Sequence, residues 1–408
     1  MKRMIAVLLL LLAGLTLGSC LGRAPVPENP DETAPAAPLP PAETEAPPAI
    51  TAEPLPVPDP LPTPDPLPTP EPPPDAAELL LARMSREEKA RQMIMLCSSS
   101  RADILYAAEH GAGGICLYAG AFTGMNPYNV QTMTDGLQDA ASIPLLLSVD
   151  EEGGTVCRVS LNPLLRSTPF LDPRSLYEIG GWLLVESDAR EKSDLLLSLG
   201  LNVNLAPVAD VPLGSGNYIS PRCFSTDAGE TAEFVRRVVT VMKDCGVGST
   251  LKHFPGYGGS ADTHTGMAYD DRPLSAFTEG DFLPFAAGIE AGADAVLVSH
   301  NIVACMDSDF PASLSPAVHR ILREDLGFEG VVLCDDLAMG AIGQFTGWQN
   351  AAAQAAIAGN DMICCSDFEA SAQAILTAMD EGRLSEAQVD ASVLRILRWK
   401  LALGLAIG

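Results

Sequence analysis

The sequence predicts an α/β fold, a (β/α)8 TIM-type barrel in a single domain that covers residues 76–408. Short apolar runs alternate there with amphipathic stretches of helical length, which is the pattern of parallel strands covered by helices. Eight such runs occur at even spacing, and this favours a closed barrel over an open doubly wound sheet. A segment of roughly 330 residues is also an ordinary length for one barrel with insertions.

The predicted strands are short apolar runs between polar or glycine-rich stretches. They cover residues 92–97, 114–118, 145–149, 202–206, 250–253, 295–299, 330–334 and 361–365. Helical patterns fall between them, for example at residues 176–199, 231–244, 282–291, 316–325, 348–358 and 386–403. For the helix at 316–325, Ser315 is the expected N-cap and Pro316 lies in the first turn, where a missing N–H is tolerated.

Polar side chains follow the predicted strands, at the point where each strand ends. They are Asp150 after the third, Asp210 soon after the fourth, Lys252 and His253 at the end of the fifth, His300 after the sixth, and Asp335 and Asp336 after the seventh. The carboxyl ends of barrel strands meet at one face, and active sites of such barrels lie there. The sequence therefore predicts a polar pocket at this face.

The N-terminus predicts an exported, lipid-anchored protein. Lys2 and Arg3 precede an apolar run at residues 5–17 that is short for a membrane span and suits a secretory signal. The signal ends at residues 17–20 in Leu-Gly-Ser-Cys, which resembles a bacterial lipobox, with Cys20 as the lipidated N-terminus after cleavage. A plain signal peptide with a chance cysteine is the alternative. The lipobox predicts a protein that is held on the cell membrane by its lipid alone and faces the cell wall or the outside.

A proline-rich segment at residues 21–75 separates the leader from the barrel. It holds 21 of the 34 prolines of the chain, and the unit Pro-Asp-Pro-Leu-Pro-Thr occurs twice, at Pro58 and Pro64. Such a composition cannot bury a core, so we expect a disordered, polyproline-like spacer between anchor and barrel.

Charge and cysteine content exclude some partners and leave others open. The formal net charge of −27 argues against a nucleic-acid partner. Besides Cys20 there are nine cysteines, an odd number, and several lie in apolar strand-like runs, so no disulfide pairing is assigned. We expect a monomer.

The residues at the strand ends favour one chemistry over several others. Neither a His-x-His nor a His-Glu-x-x-His zinc motif occurs, and the P-loop is absent as well, so no metal or cofactor is expected. A Schiff-base role for Lys252 stays open, although a salt-bridging or substrate-binding lysine is commoner. Asp335 faces a glycine-rich loop at residues 256–266 that can deliver His264, and this combination suits displacement at a sugar anomeric carbon.

Several motifs in order resemble glycoside hydrolase family 3, and specifically its single-domain β-N-acetylhexosaminidase branch, across residues 76–408. They are Asp-Glu-Glu-Gly-Gly-Thr-Val-Cys-Arg at 150–158, Asn-Leu-Ala-Pro-Val-Ala-Asp at 204–210, the stretch from Lys252 to His264, and Gly-Phe-Glu-Gly-Val-Val-Leu-Cys-Asp-Asp-Leu-Ala-Met at 327–339. The resemblance implies Asp335 as the catalytic nucleophile and His264 paired with Asp262 as the general acid/base. It also implies side chains that hold the sugar hydroxyls, namely Asp150, Arg158, Arg222, Lys252 and His253.

The implied activity is that of a retaining exo-β-N-acetylglucosaminidase that acts on terminal β-linked N-acetylhexosamine, in particular in peptidoglycan fragments. A β-glucosidase, a phosphorolytic N-acetylglucosaminidase and a non-catalytic carbohydrate-binding lipoprotein remain alternatives. For Asp335 a helix N-cap is the structural alternative, and Asp336 fits that role better. Three positions depart from the common family pattern: Tyr257 replaces a usual His, Thr155 a usual Arg and Thr263 a usual Ser.

Overall fold

The computed structural model describes residues 75–407 except residues 215 and 348. The predicted leader, Cys20 and residues 21–74 of the predicted spacer lie outside this range. The strands of the described part are β1 (Ile94–Ser98), β2 (Gly114–Leu117), β3 (Leu146–Val149), β4 (Val203–Asn204), β5 (Gly248–Phe254), β6 (Tyr269–Asp270), β7 (Ala295–Val298), β8 (Ile302–Val303), β9 (Val331–Cys334) and β10 (Met362–Cys365).

Eight of these strands close into a parallel barrel in the order β1-β10-β9-β7-β5-β4-β3-β2. Its closing pair joins the first and last strands, with Leu96 of β1 opposite Cys365 of β10. The remaining strands, β6 and β8, form a small parallel pair outside the barrel, with Tyr269 opposite Ile302. The predicted (β/α)8 barrel is therefore confirmed.

Helices connect and cover the strands. They are α1 (Ala76–Leu81), α2 (Arg86–Gln92), α3 (Arg101–Glu109), α4 (Pro127–Ala140), α5 (Pro173–Ser198), α6 (Ala228–Cys245), α7 (Leu274–Ala276), α8 (Phe282–Ala291), α9 (Pro316–Arg320), α10 (Gly340–Thr346), α11 (Ala352–Ala358), α12 (Phe368–Asp380) and α13 (Glu386–Ala402). Short 3-10 turns lie at Ala119–Phe122, Ser220–Arg222 and Ala312–Leu314, and π-helical turns at Phe277–Asp281 and Ile321–Asp325.

Local chemistry explains where helix and strand ends differ from the prediction. The helix predicted at 176–199 begins at Pro173, because the Asp172 side chain accepts a hydrogen bond from the Ser175 N–H and caps it there. It is also kinked at Gly181, whose φ of 63° is a left-handed conformation that glycine tolerates. The predicted strand at 202–206 shrinks to two residues, because Pro207 has no N–H to continue the ladder.

Two further helices differ in part. The segment predicted at 316–325 is α9 followed by a π-helical turn, and its predicted cap is confirmed by a 3.2 Å bond from the Val318 N–H to the Ser315 hydroxyl. Of the segment predicted at 348–358, residue 348 lies outside the described residues and α11 begins at Ala352. There the Asn350 side chain accepts a hydrogen bond from the Ala352 N–H at 2.8 Å and holds the preceding turn.

The barrel strands are buried along their length, which explains their nearly continuous apolar sequence. All nine cysteines of the described part are free thiols. Three of them, Cys97, Cys116 and Cys364, come from the adjacent strands β1, β2 and β10 and line the pocket described below. Within residues 75–407, none of the described helices is both long enough and apolar enough to cross a bilayer.

Candidate active site

A pocket of about 170 Å³ opens at the carboxyl ends of the barrel strands. Seven of the eight predicted sugar-site residues line it: Asp150, Arg158, Arg222, Lys252, His253, His264 and Asp335. The eighth, Asp262, lies behind His264 and is bonded to it. Residues separated by up to 185 positions in the chain (335 − 150) thus meet in one place, as the strand-end pattern predicted.

Lys252 is the buried cation of this pocket. Its Nζ lies 2.6 Å from Asp150 Oδ1 and 2.6 Å from Glu152 Oε1. Burial would lower the pKa of Lys252, but the charges of Asp150 and Glu152 outweigh burial and raise it. Because a protonated amine is not a nucleophile, the two carboxylates around Lys252 favour a salt-bridging role over the Schiff-base role that the sequence left open.

Glu152 joins Lys252 to a second cation, Arg222, and sequence reasoning did not assign it. Arg222 grips it with two bonds, Nη2 to Oε1 at 2.7 Å and Nε to Oε2 at 3.0 Å, while Lys252 contacts the same carboxylate. Burial would raise the pKa of Glu152, but Arg222 and Lys252 outweigh burial and hold it well below its usual range. Glu152 therefore stays ionised and fixes both cations.

His253 is held in one orientation by partners on both ring nitrogens. Arg222 Nη2 lies 3.1 Å from Nε2, and because a guanidinium only donates, Nε2 must accept. The proton is then on Nδ1, which donates to Asp210 Oδ2 at 2.7 Å. Asp210 is buried and also accepts the Tyr257 N–H at 2.8 Å. Asp210 thus holds His253 and Tyr257 in place without itself lining the pocket.

Asp335 directly follows strand β9 and has its carboxylate in the pocket. Its Oδ1 accepts the N–H of the next residue, Asp336, at 2.9 Å, and its own N–H donates to Val298 O on β7 at 2.9 Å. Burial would raise the pKa of Asp335, but the neighbouring His300, His253 and this N–H outweigh burial and lower it. The group is therefore a carboxylate at neutral pH, the form that a nucleophile needs.

Asp336 is not the helix N-cap that the sequence suggested, and that interpretation was wrong. The next helix, α10, begins only at Gly340, and its N-cap position is Met339. Asp336 instead holds the turn before it by accepting the Ala338 N–H at 3.0 Å. Its other oxygen accepts the Tyr118 hydroxyl at 2.6 Å, so Asp336 fixes a side chain of the pocket wall.

His300 supports the same turn from below. Its Nε2–H donates to the Asp336 carbonyl at 3.0 Å, and its Nδ1 accepts the Ser313 hydroxyl at 2.7 Å. Burial lowers the pKa of His300, with the Asp335 charge acting in the opposite direction. His300 therefore supports the turn next to Asp335. The sequence placed His300 at the correct strand end without giving it this role.

His264 stands opposite on the loop after β5. Its Nδ1 lies 2.7 Å from Asp262 Oδ1, which also accepts the His264 N–H at 2.9 Å. The side chain of His264 is 56% exposed, against 29% for Asp262. Because the Asp262 carboxylate holds the proton on Nδ1, Nε2 is the nitrogen that can take up and release a proton. Tyr218, whose hydroxyl is 3.2 Å from Nδ1, completes this corner.

The pocket therefore combines an ionised carboxylate, a paired imidazole on an exposed loop, and a wall of charged side chains. The carboxylate suits covalent attack, and the imidazole suits proton transfer near neutral pH. The wall of Asp150, Arg158 and Lys252 offers both acceptors and donors to a polyhydroxylated ligand.

Comparison with known proteins relates the chain to enzymes that act on sugars. The Glycosyl hydrolase family 3 N terminal domain matches residues 85–399. A beta-hexosaminidase of Xylella fastidiosa (strain M12) is 35% identical over 255 residues, which are 60% of this chain and 72% of that protein. One from Xanthomonas campestris pv. campestris (strain B100) is 35% identical over 242 residues, 57% of this chain and 71% of that protein.

Solved structures give a similar result. A glycoside hydrolase family 3 beta-N-acetylglucosaminidase from Paenibacillus sp. str. FPU-7 superposes with a TM-score of 0.74 at 31% identity, over 80% of this chain and 64% of that chain. This chain thus spans slightly less than two thirds of that protein. A beta-N-acetylhexosaminidase from Beutenbergia cavernae DSM 12333 gives 0.67 at 27% identity, over 79% of this chain and 100% of that chain.

Proposed function

The chain belongs to glycosyl hydrolase family 3, and from that premise we propose that it is a retaining exo-β-N-acetylglucosaminidase. Its beta-hexosaminidase relatives support hydrolysis of β-linked N-acetylhexosamine. The observation that carries the proposal is one pocket that holds the Asp335 carboxylate together with the His264–Asp262 pair. We assign Asp335 as the nucleophile and His264 as the general acid/base.

The first step forms a covalent glycosyl ester. An oxygen of Asp335 attacks the anomeric carbon, and the bond from that carbon to the leaving-group oxygen breaks with its electron pair. The proton on His264 Nε2 passes to that oxygen, so the leaving group departs as a neutral alcohol. Asp262 stabilises the positive imidazolium before the transfer and keeps the ring oriented afterwards.

The second step releases the sugar with the β configuration. His264, now neutral, takes a proton from water through Nε2 while the water oxygen attacks the anomeric carbon. The ester bond breaks and its electron pair returns to Asp335. Two inversions at one carbon give net retention.

The charged wall provides the sugar-binding side. Asp150, Arg158 and Lys252 are positioned by one another, with Arg158 Nη2 3.4 Å from Asp150 Oδ2. A preformed network of this kind presents donors and acceptors to sugar hydroxyls without reordering on binding. Arg222, which shares Glu152 with Lys252, and His253, which contacts Arg222, continue it along the pocket.

Substrate preference tests the proposal. We expect an aryl β-N-acetylglucosaminide to be cleaved faster than the matched aryl β-glucoside by a wide margin, measured as kcat/KM. A chelator should leave the rate unchanged, and inorganic phosphate should neither accelerate release of the aryl group nor yield a sugar phosphate. Equal rates on both sugars would contradict the N-acetylglucosaminidase assignment, and sugar phosphate as the product would favour phosphorolysis.

We further propose that the enzyme is a lipoprotein on the outer side of the cell membrane, where peptidoglycan fragments are its substrates. The support is the lipobox that ends in Cys20 and the proline-rich spacer that follows it. We expect the full chain in the membrane fraction and labelled by a fatty-acid probe, whereas Cys20→Ala should lose the label. Wild-type protein that is fully soluble and carries no lipid would overturn the anchor.

A further inference from the structure

The loop that carries His264 is fixed at the residue next to it, Thr263. Thr263 is fully buried, although the side chain of His264 is 56% exposed. The exposed catalytic side chain thus projects from an immobilised neighbour, and two sets of contacts immobilise it.

The first contact is a hydrogen bond between the Tyr257 hydroxyl and the Thr263 hydroxyl, both buried. Tyr257 is itself fixed, because its N–H donates to Asp210 at 2.8 Å and its ring packs edge-on against His253 at 5.1 Å between centroids. Burial and the Asp335 charge hold the pKa of Tyr257 well above its usual value, so the phenol keeps its proton. Asp210 therefore orients His253 directly and reaches Thr263 through Tyr257.

The second contact ties the loop to the segment that follows the nucleophile. The Thr263 carbonyl accepts the Ala341 N–H at 3.0 Å, and the His264 carbonyl accepts the Gly340 N–H at 3.3 Å. A Cβ added at Gly340 would lie 2.7 Å from the His264 carbonyl oxygen, so only glycine allows this approach. Gly340 is five residues after Asp335, and the two catalytic segments are joined here.

We propose that Tyr257 and Thr263 are a positioning pair that sets the reach of His264 into the pocket, with Gly340 as the second anchor of the same loop. The proposal rests on the acid/base role of His264. It also explains two departures from the common family pattern, since the residues at these two positions contact each other. The phenol and the threonine hydroxyl form one hydrogen-bonded unit.

Leaving-group dependence separates positioning from a merely structural role. Tyr257→Phe deletes one hydroxyl and keeps the ring, so Asp335 chemistry should survive while proton transfer weakens. Because general acid catalysis contributes roughly 10²- to 10⁴-fold, its partial loss should lower kcat/KM about 10-fold for a poorly departing alcohol such as methanol or a second sugar. For a dinitrophenyl leaving group, which departs without a proton, kcat/KM, which reports the first step alone, should stay within about twofold of wild type.

Matched variants complete the test. Thr263→Val should repeat the Tyr257→Phe pattern, and Thr263→Ser, which keeps the hydroxyl, should restore most of the rate. Tyr106→Phe is the control, because it deletes a hydroxyl that bonds Glu369 at 3.0 Å on the surface. It should leave kcat/KM unchanged on both substrates. Gly340→Ala acts on the other anchor and should give the same dependence on the leaving group. It tests the proposal independently if the variants at the buried Tyr257 and Thr263 do not fold.

His264→Ala, measured in parallel, keeps the two proposals apart. One outcome is that the loss of kcat/KM in His264→Ala depends on the leaving group while Tyr257→Phe and Gly340→Ala lower kcat/KM equally on all substrates, or on none. In that case the positioning pair is wrong and the acid/base assignment stands. If His264→Ala itself shows no such dependence, the acid/base assignment fails first.

Discussion

Replacing Asp335 with alanine is expected to abolish turnover for every leaving group, with a loss of roughly 10⁴- to 10⁶-fold of the kind seen when the nucleophile of a two-step enzyme is removed. The reason is that no other carboxylate takes part in the proposed first bond, however easily the leaving group departs. The measurement is kcat/KM on a series of aryl β-N-acetylglucosaminides of different leaving-group acidity.

Azide gives this variant a positive readout. In Asp335→Ala the space of the carboxylate is free, so azide can attack the anomeric carbon from that face and yield the α-glycosyl azide. The matched control is Asp336→Asn, which alters the neighbouring carboxylate that binds Tyr118 and should cost far less. An Asp336 variant as inactive as the Asp335 variant, or a β-azide product, would show that the nucleophile has been assigned to the wrong residue.

Replacing His264 with alanine is expected to give the second largest effect, and one that depends on the substrate. Removal of the imidazole deletes proton transfer, which contributes roughly 10²- to 10⁴-fold. The loss in kcat/KM, which reports the first step, should be large for a natural sugar leaving group and much smaller for a dinitrophenolate. With the dinitrophenyl substrate the slow second step should let the glycosyl ester accumulate, visible as a burst of released phenol followed by a slow steady state.

Asp262→Ala should resemble a milder form of His264→Ala, because it removes the carboxylate at 2.7 Å and leaves the imidazole in place. Added azide should raise the steady-state rate of His264→Ala by accepting the sugar without general base assistance. Equal impairment with good and poor leaving groups, together with normal breakdown of the ester, would show that His264 is not the acid/base.

The barrel and the meeting of the strand-end residues were predictable because both follow from local rules. Apolar periodicity marks the strands, and parallel closure then brings their carboxyl ends together whatever lies between them. This placed Asp150, Lys252 and Asp335 in one pocket before any contact was known.

The supporting contacts were not predictable, because they depend on which way a side chain faces. Three consecutive acidic residues at 150–152 look alike in sequence, yet only the structure shows that Glu152 lies between Lys252 and Arg222, both far along the chain from it. Asp336 was misassigned for a similar reason. Helix α10 begins at Gly340, whose N–H bonds the His264 carbonyl, and its N-cap position has no capping side chain that the sequence could have revealed.

The free thiols in the barrel differ in their exposure to oxidation before and after the protein folds. The hydrogen bond to the Cys97 thiol, together with burial, raises the pKa of Cys116 well above its usual value, and burial raises that of Cys365 to about 12. Since the thiolate is the form that oxidants attack, the raised pKa values make these sulfurs less reactive once the barrel has closed around them. An unfolded chain has no such protection, and a chain exported as proposed above crosses the membrane before it folds. Oxidation of the barrel thiols is therefore a hazard before folding. After folding, burial protects these thiols without a disulfide, whereas Cys305, another free thiol of the described residues, is exposed.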